Sequence, residues 1–184
     1  MKKNYFSLFD YTIMAMVGAL CAVLKIALKM PIKMPGHNGV FVAAVILVGA
    51  LIIRKKGSAL ITGAFGAAII AFTSSGKDGP IVAFVAYIAL ALGMEAGLLL
   101  FRAYKHPNIM LAFITAALFG AWSKLLVKAS FDIIVGLPLA VVLTKSGYAF
   151  FTYSLFGFLG GTLGYFIVQA LECSGLNHYL QDRK

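Results

Sequence analysis

The fold class follows from one stretch of the chain, residues 109–135, which reads IMLAFITAALFGAWSKLLVKASFDIIV. This stretch is longer than the about 20 apolar residues that a helix needs to cross the hydrocarbon core of a bilayer. Its only charged residues are Lys124, Lys128 and Asp132, and because they are spaced four apart they share one face of a helix. We therefore predict a membrane-spanning helix whose charged face points into the interior of a protein.

The whole chain has the composition of a membrane protein. Of its 184 residues, 61% are hydrophobic and 12% are charged, whereas about 25% charged residues is usual for a soluble domain. We predict an all-α integral membrane protein, a single domain over residues 1–184 that forms a bundle of six transmembrane helices. The predicted helices are residues 8–28, 40–53, 58–72, 80–101, 109–135 and 148–171. The second and third are short, so one re-entrant hairpin is the alternative to two crossings.

The basic residues indicate the orientation of the bundle in the membrane. One set of helix ends carries Lys2, Lys3, Arg54, Lys55, Lys56, Arg102, Lys105, Arg183 and Lys184. The opposite loops hold only Lys33, Lys77 and Lys145, with Lys29 at the boundary. Because cytoplasmic loops are enriched in Lys and Arg, we expect a multi-pass plasma-membrane protein with both termini in the cytoplasm. The net charge of +10 then reflects the bilayer and not a nucleic-acid partner.

Charges within the predicted helices point to a cavity. A charged side chain at the centre of a membrane helix costs at least about 2.5–3.5 kcal/mol. Lys124 lies near mid-depth, too far from either surface to snorkel, so we interpret it as facing a cavity that is open to the outside and takes an anionic or hydrogen-bonding ligand. Lys128 and Asp132 lie above it and can pair with each other. Lys25, in the outer quarter of the first helix, either snorkels or joins this cavity.

Aromatic residues gather at the same depth as these lysines. They are Phe84, Tyr87, Tyr148, Phe150, Phe151 and Tyr153. One interpretation is an interfacial aromatic belt, and the other is a stacking wall for a planar ligand. Tyr87 and Tyr153 are the candidate ligand contacts among them. Trp122, near mid-membrane, is interpreted as a packing residue.

The loop between the first and second helices is the most distinctive polar segment. Its candidate ligand contacts are Lys33, Gly36, His37 and Asn38. We interpret this loop as a lid over a pocket, in which His37 and Asn38 donate hydrogen bonds. Ligation of a metal or a haem iron by His37 with a nearby methionine is a second possibility, and an ordinary surface histidine is a third.

Small residues predict where helices pack closely, because association in lipid depends on the approach of backbones. Ala59, Gly63 and Ala67 on the third helix, and the pairs Gly157 with Gly161 and Gly160 with Gly164 on the sixth, indicate packing within the chain. On the first helix, Ala15 with Ala19 and Gly18 with Ala22 suit either internal packing or a partner helix.

No catalytic motif is present in the sequence. It contains no phosphate-binding loop, no His-Glu-x-x-His and no Gly-x-Ser-x-Gly, so we expect neither an enzyme nor an intrinsic metal or cofactor. A chain with no energy source binds a ligand, conducts, or is driven by a partner. The alternatives to a driven binding subunit are a self-sufficient secondary transporter or channel, which should show paired halves, and a structural subunit without a ligand.

The chain resembles a substrate-binding S component of energy-coupling-factor (ECF) transporters. The resemblance rests on size, six helices with both ends inside, the Ala15 and Ala19 motif, and the substantial loop between the first two helices. Residues 34–41, which read MPGHNGVF, are similar to a Pro-Gly-His-x-Gly segment in one branch of these proteins. The substrate is not fixed by this resemblance.

The resemblance implies a substrate-capture subunit in a prokaryotic cytoplasmic membrane. Such a subunit binds a micronutrient, vitamin-like or a tetrapyrrole such as haem, at the outer face, and delivers it through a membrane T subunit coupled to two ATP-binding subunits. It is thought to topple in the membrane during delivery. Carried to this chain, the resemblance implies that Ala15, Ala19 and Ala22 face the T subunit and that residues 33–39 form the gate. The pocket would then lie between the fourth, fifth and sixth helices.

Overall fold

In the computed structural model of the chain, every regular element among the described residues is an α-helix. The structure describes residues 6–27, 35–37, 39–73, 79–105 and 110–174. The helices are α1 (Leu8–Ala27), α2 (Gly39–Ile53), α3 (Ser58–Thr73), α4 (Gly79–Leu100), α5 (Met110–Ile134) and α6 (Leu139–Cys173). The prediction of an all-helical bundle of six helices is therefore confirmed.

Four of the helices, α1, α4, α5 and α6, are long and apolar enough to cross a membrane. The other two, α2 and α3, have 15 and 16 residues, which at 1.5 Å per residue is about 23 Å. The hydrocarbon core of a bilayer is about 30 Å thick. That both short helices cross the membrane therefore stays a prediction.

The sixth helix differs from its prediction. Residues 137–147 are expected to form a loop or a short re-entrant piece, but α6 begins at Leu139, directly after its N-cap residue Pro138. The polar residues of this segment fit a helix because Thr144 Oγ1 donates to the carbonyl oxygen of Ala140 at 2.9 Å and Lys145 forms an ion pair with Asp132 on α5. At 35 residues, about 52 Å long, α6 is longer than a bilayer core is thick.

The helices α2 to α6 form a closed ring, which runs from α2 through α3, α4 and α5 to α6 and back to α2. Within this ring α2 also packs against α5. α2 is apolar on all sides, as a helix buried within a bundle must be, and Leu47, Ala50 and Leu51 are fully buried. α1 packs on α2 and α3 from outside the ring, so one of its faces is left uncovered.

Small residues hold the helices together as predicted. A Cβ atom on Gly161 would lie 2.7 Å from Cα of Ile114 on α5, and one on Gly160 would lie 2.9 Å from the carbonyl oxygen of Val40 on α2. Successive glycines of α6 thus face two different neighbours. On α1, a Cβ on Gly18 would meet the backbone of α3, so the Gly18 motif packs within the chain.

The bundle has two chemically different ends. The first, which we call the basic end, contains residues 54–57 and 101–105, the start of α1 and the end of α6. There Lys55 forms an ion pair with the buried carboxylate of Asp10, and Arg54 forms one with Glu172. The second, which we call the cleft end, contains residues 35–37, the end of α5 and the start of α6.

A buried glutamate organises the basic end. Oε1 of Glu95 on α4 accepts a hydrogen bond from the backbone N–H of Gly57 at 2.7 Å, and Oε2 accepts from the N–H of Ala59 at 3.2 Å and from the hydroxyl of Tyr104 at 2.6 Å. Glu95 therefore caps the start of α3. Burial, and then the nearby Glu95 carboxylate, raise the pKa of the Tyr104 hydroxyl above its usual range, so this hydroxyl stays a donor.

Candidate functional site

A cleft of about 420 Å³ opens at the cleft end, between α4, α5 and α6. Such a volume lies within the range of small-molecule sites, about 300–1,000 Å³. Its walls combine apolar and charged side chains, including Val82, Leu125, Lys128, Asp132, Lys145 and Tyr153. The helix face predicted from the spacing of Lys128 and Asp132 therefore does face a hollow.

The sequence predicts only one of the two residues that form the ion pair in this cleft. The spacing on α5 suggests that Asp132 pairs with Lys128. In the structure, Nζ of Lys145 on α6 donates to Oδ2 of Asp132 at 3.0 Å. Lys145 is part of the site because α6 begins earlier than predicted. No local sequence pattern distinguishes a helix from a loop at this position. The pair ties the end of α5 to the start of α6.

A second, much smaller pocket, which we call the inner pocket, lies between α2, α4, α5 and α6. Its lining includes Gly36, Leu90, Ala117, Ala121, Lys124 and Tyr153. It has about 10 Å³ of free space, which is about enough for one water molecule. Lys124 is 7% exposed. Lys124, from which the sequence analysis inferred a cavity, is thus inside the protein, where the chain shields it from lipid.

Tyr153 stands between the cleft and this inner pocket, and it contributes to the walls of both. Gly36 lies against its ring: a Cβ on Gly36 would be 3.2 Å from Cδ2 of Tyr153. The φ of Gly36 is +93°, a backbone conformation that glycine adopts without strain. Residues 35–37 therefore cover the inner pocket from the side of Tyr153.

Two lysine amines converge on one buried tyrosine. Nζ of Lys124 lies 3.8 Å from the centre of the Tyr87 ring, and Nζ of Lys25 lies 4.7 Å from the same centre. Tyr87 is 6% exposed. Both distances suit cation–π contacts. Lys25, for which the sequence left two interpretations, points inward to this cluster.

The remaining aromatic residues divide between the site and the outer surface. Tyr148 lines the cleft. Trp122 donates from Nε1 to Oγ of Ser154 at 3.0 Å and stacks on Phe150, with ring centres 5.5 Å apart. Its hydrogen bond and stacking join α5 to α6, in agreement with its interpretation as a packing residue. Phe151 is largely exposed.

Two of the predicted lid contacts, Lys33 and Asn38, lie outside the described residues. His37 is described and half-buried. Within the described ranges, no group of three or more His, Cys, Asp or Glu side chains could hold a metal ion. The part of His37 in binding a ligand stays a prediction.

The predicted docking residues on α1 differ in exposure. Ala15 and Ala19 are half-exposed and lie beside the exposed side chains of Met16 and Leu20. Ala22 is fully buried within the chain. Its side chain is therefore not available to a partner, because it packs into the core around α2, and Ala22 is removed from the expected docking face.

Comparison with known proteins identifies a solved structure with a similar fold. No family model matches the chain, and no curated protein does. Among solved structures, the chain is similar to the crystal structure of an S-component of an ECF transporter, with a TM-score of 0.67 and 20% sequence identity. The match covers 94% of this chain and 89% of that chain. The chain therefore has the fold of an ECF-transporter S component, as its sequence suggests.

Proposed function

We propose that this chain is the substrate-capture subunit of an ECF-type importer. The observation that carries the proposal is the cleft of about 420 Å³ with charged walls at one end of a bundle that has the S-component fold. A vitamin-like molecule or a tetrapyrrole such as haem would lie in the cleft, with Tyr148 and Tyr153 offering aromatic faces to a planar ring. No described feature supports bond-breaking chemistry at this site.

The charges support an orientation for the bundle. Among the described residues, the basic end carries Arg54, Lys55, Lys56, Arg102 and Lys105 in its loops. By the positive-inside rule this end lies in the cytoplasm. The cleft then faces the outside of the plasma membrane, where a captured nutrient arrives.

The contact between Gly36 and Tyr153 supports a gate. In the present conformation the inner pocket has room for about one water molecule, so a ligand group reaches Lys124 only when residues 35–37 move away from Tyr153. Closing the same contact would then retain the ligand. Lys33, His37 and Asn38, on or next to this segment, are the proposed polar contacts of the gate.

The uncovered face of α1 supports docking to a T subunit. Ala15 and Ala19 are small, so the backbone of a partner helix can approach closely there. Met16 and Leu20, 68% and 49% exposed, would supply apolar area beside them. The T subunit in turn would connect the chain to two ATP-binding subunits, which supply the energy that this chain does not provide.

Enlarging the small residues tests this docking. We expect Ala15→Leu and Ala19→Leu to reduce, by tenfold or more, the amount of T and ATP-binding subunits that co-purify with the tagged chain from its own host. The physical reason is that a larger side chain holds the partner backbone away. The measurement is quantitative mass spectrometry of the purified complex, with subunits identified by their ATPase and membrane-protein sequences.

A matched control lies on the same face. Met16→Leu changes the shape of an exposed side chain but hardly its volume, and it should leave the complex intact. Co-purification of the same subunits with Ala15→Leu and Ala19→Leu at the wild-type level would contradict the docking face. Absence of ATP-binding subunits from the wild-type complex would contradict the proposed function.

A further inference from the structure

We infer that the apolar turn between α5 and α6 is embedded in the headgroup layer of the membrane, so that the cleft beside it opens at the lipid surface and takes up an amphipathic molecule from there. Only the class of ligand rests on the proposed function; the embedding of the turn does not. The segment concerned is residues 133–143, which read IIVGLPLAVVL and which we call the hairpin tip. It contains the end of α5, the turn and the first residues of α6.

The hairpin tip presents a continuous apolar surface. None of its side chains is polar, and Ile134 and Val135 are 76% and 80% exposed. The other exposed side chains of the tip are Ile133, Leu137, Leu139, Val141 and Leu143. The surface continues along α5 and α6, where Leu126 and Phe151 are exposed. By contrast, the turn between α2 and α3, residues 54–57, reads RKKG. An exposed apolar patch of this kind marks contact with a protein or a membrane, and its continuity with the spanning helices favours the membrane.

The length of α5 places the tip at the level of the lipid headgroups. α5 begins at Met110, shortly after the basic residues Arg102 and Lys105, and its 25 residues extend about 37 Å. The hydrocarbon core of a bilayer is about 30 Å thick, and the bilayer with its headgroups is about 40–45 Å thick. If α5 starts at the boundary of the core on the basic side, it ends about 7 Å beyond the core on the other side. The tip therefore lies within the headgroup layer, and a tilt of the helix brings it closer to the core.

The backbone of the turn suits surroundings with little water. The N–H groups of Gly136 and Leu137 donate to carbonyl oxygens in the last turn of α5 at 2.9 Å and 3.1 Å. With a φ of +92° at Gly136, this pairing closes α5 in a Schellman motif. Pro138 has no N–H, and its carbonyl oxygen accepts from two N–H groups in the first turn of α6 at 2.9 Å and 3.1 Å. These backbone groups do not depend on water, which lipid chains cannot replace as a hydrogen-bonding partner.

The residues that flank the tip are typical of a membrane surface. Asp132 and Lys145, one on each side of the tip, form an ion pair at 3.0 Å, and the Lys145 side chain is 65% exposed. A lysine at this level keeps its apolar stem beside lipid and its amine among the headgroups. Tyr148, on the next turn of α6, is exposed, and tyrosine is enriched where membrane and water meet.

The cleft opens at the same level as the tip. Its walls include Val135, which belongs to the tip, together with Asp132, Lys145 and Tyr148. A molecule that concentrates among the headgroups therefore reaches the cleft from the side of the lipid. Its polar end would meet the charged residues, and its apolar body would contact walls such as Leu125. The ligand class is thus an amphipathic molecule that partitions into membranes.

Spin labels test the depth of the tip in the full chain, reconstituted in nanodiscs of phosphatidylcholine and phosphatidylglycerol. The label is attached to Leu139→Cys in a chain that also carries Cys173→Ser, because Cys173 is exposed whereas Cys21 is buried. Power saturation in electron paramagnetic resonance measures collisions with oxygen, which concentrates in lipid, and with a water-soluble nickel chelate. We expect the ratio of oxygen to nickel collisions to be about threefold or more above that of the same label on Lys56→Cys.

Two matched positions define the scale. Lys56, exposed at the basic end, gives the value for water, and Phe151, exposed on the spanning part of α6, gives the value for lipid. A label on Leu139→Cys with the ratio of Lys56→Cys would place the tip in water and overturn the inference. A label that collides with neither reagent would mean that protein, such as a second copy of the chain, covers the tip, and this result would overturn it as well.

A photoreactive amphiphile tests the opening of the cleft. The probe is a hexadecanol with a diazirine near its hydroxyl group, and the comparison is a butanol with the same group, which stays mostly in water. Hexadecanol should label the cleft wall at Leu125 more strongly than butanol does at the same amount. Ala129→Trp, which fills the cleft, should lower the labelling of Leu125 about tenfold and leave that of Phe151 unchanged. Labelling by hexadecanol that is confined to outward-facing side chains such as Phe151, or stronger labelling of Leu125 by butanol, would overturn the route through lipid.

The two proposals fail separately in these experiments. If the tip lies in water or the cleft is not labelled, but the chain still co-purifies with ATP-binding subunits, only the route through lipid fails and the proposed function stands. If no ATP-binding subunits co-purify with the chain, the proposed function fails whatever the position of the hairpin tip.

Discussion

Lys124 keeps a charged amine inside an apolar bundle, where 7% of the residue is exposed. Burying a cation at the centre of a membrane helix costs at least about 2.5–3.5 kcal/mol. The contact with the Tyr87 ring, 3.8 Å from the amine to the ring centre, returns about 2 kcal/mol when desolvated. Ionisable residues within membrane-spanning helices are rare and by default indicate a functional site, so Lys124 is the residue whose replacement is most informative.

Replacing this lysine should separate stability from binding. We expect Lys124→Met to raise the free energy of unfolding of the ligand-free chain by about 1 kcal/mol, because an apolar side chain of similar length removes the buried charge. The same change should remove ligand binding. Thermal unfolding in detergent measures the first effect, and the amount of small molecule retained on the purified chain measures the second.

Lys145→Met is the control for the effect of Lys124→Met on stability. Its side chain is 65% exposed in its ion pair with Asp132, and exposed ion pairs contribute about 0–1 kcal/mol. Lys145→Met should therefore change the unfolding temperature little. A Lys124→Met chain that is less stable than the wild type would show that the buried amine stabilises the fold, against our account.

The positions of single residues in the site could be predicted from the sequence only where their spacing along a helix determines the face on which they lie. The repeat of four between Lys124, Lys128 and Asp132 places them on one face, and the structure shows this face toward the cleft and inner pocket. The meeting of Lys25 with Tyr87 could not be predicted, because it depends on how α1 and α4 are placed relative to each other. The same is true of the contact between Gly36 and Tyr153.

At the scale of the helices, α6 shows where a prediction of helix bounds from hydropathy fails. The other helices begin and end within one residue of the predicted bounds over the described part of the chain, because apolar runs stop at charged or turn residues. In α6 the polar residues 144–147 resemble a break, but they belong to a part of the helix that extends beside the end of α5. Because α6 is longer than a bilayer core is thick, part of it can lie outside the apolar layer and carry such residues.

The two glycine pairs of α6 predict a further effect at this scale. Because a Cβ on Gly161 would lie 2.7 Å from Cα of Ile114 and 2.8 Å from the carbonyl of Phe113, Gly161→Ala forces α5 and α6 apart. Overpacking of this kind costs about 1–3 kcal/mol. We expect a clear decrease in the thermal unfolding temperature of the purified chain.

Gly147 on the same helix is the control. A Cβ at this position meets nothing within 4 Å, so Gly147→Ala should stabilise α6 slightly, by up to about 1 kcal/mol, through the better helix propensity of alanine. If Gly161→Ala and Gly147→Ala shift the unfolding temperature equally, close backbone approach is not what holds α6 to α5.

At the scale of the whole molecule, the two ends differ in structure. The basic end is fixed by the ion pairs of Asp10 and Glu172 and by the capping of α3 by Glu95. The cleft end keeps an opening of about 420 Å³. A bundle that is cross-linked by ion pairs at one end and open at the other suits the proposed capture on one side of a membrane.

The fold as a whole could be predicted further than the site. Composition and the lengths of the apolar runs led to a bundle of six helices, and the likeness at a TM-score of 0.67 to an S-component of an ECF transporter agrees with it. The identity of the proposed ligand could not be predicted, because it depends on the detailed shape of the cleft and of the small inner pocket.

Native mass spectrometry of the chain purified from its own host tests the central claim, capture of a small molecule in the cleft, most directly. We predict one small molecule, distinct from lipid and detergent, bound at one copy per wild-type chain. It should be lost from Ala129→Trp, because Ala129 lines the cleft and an indole ring there fills the space. A wild-type chain without such a molecule, or one that Ala129→Trp retains in full, would contradict the account.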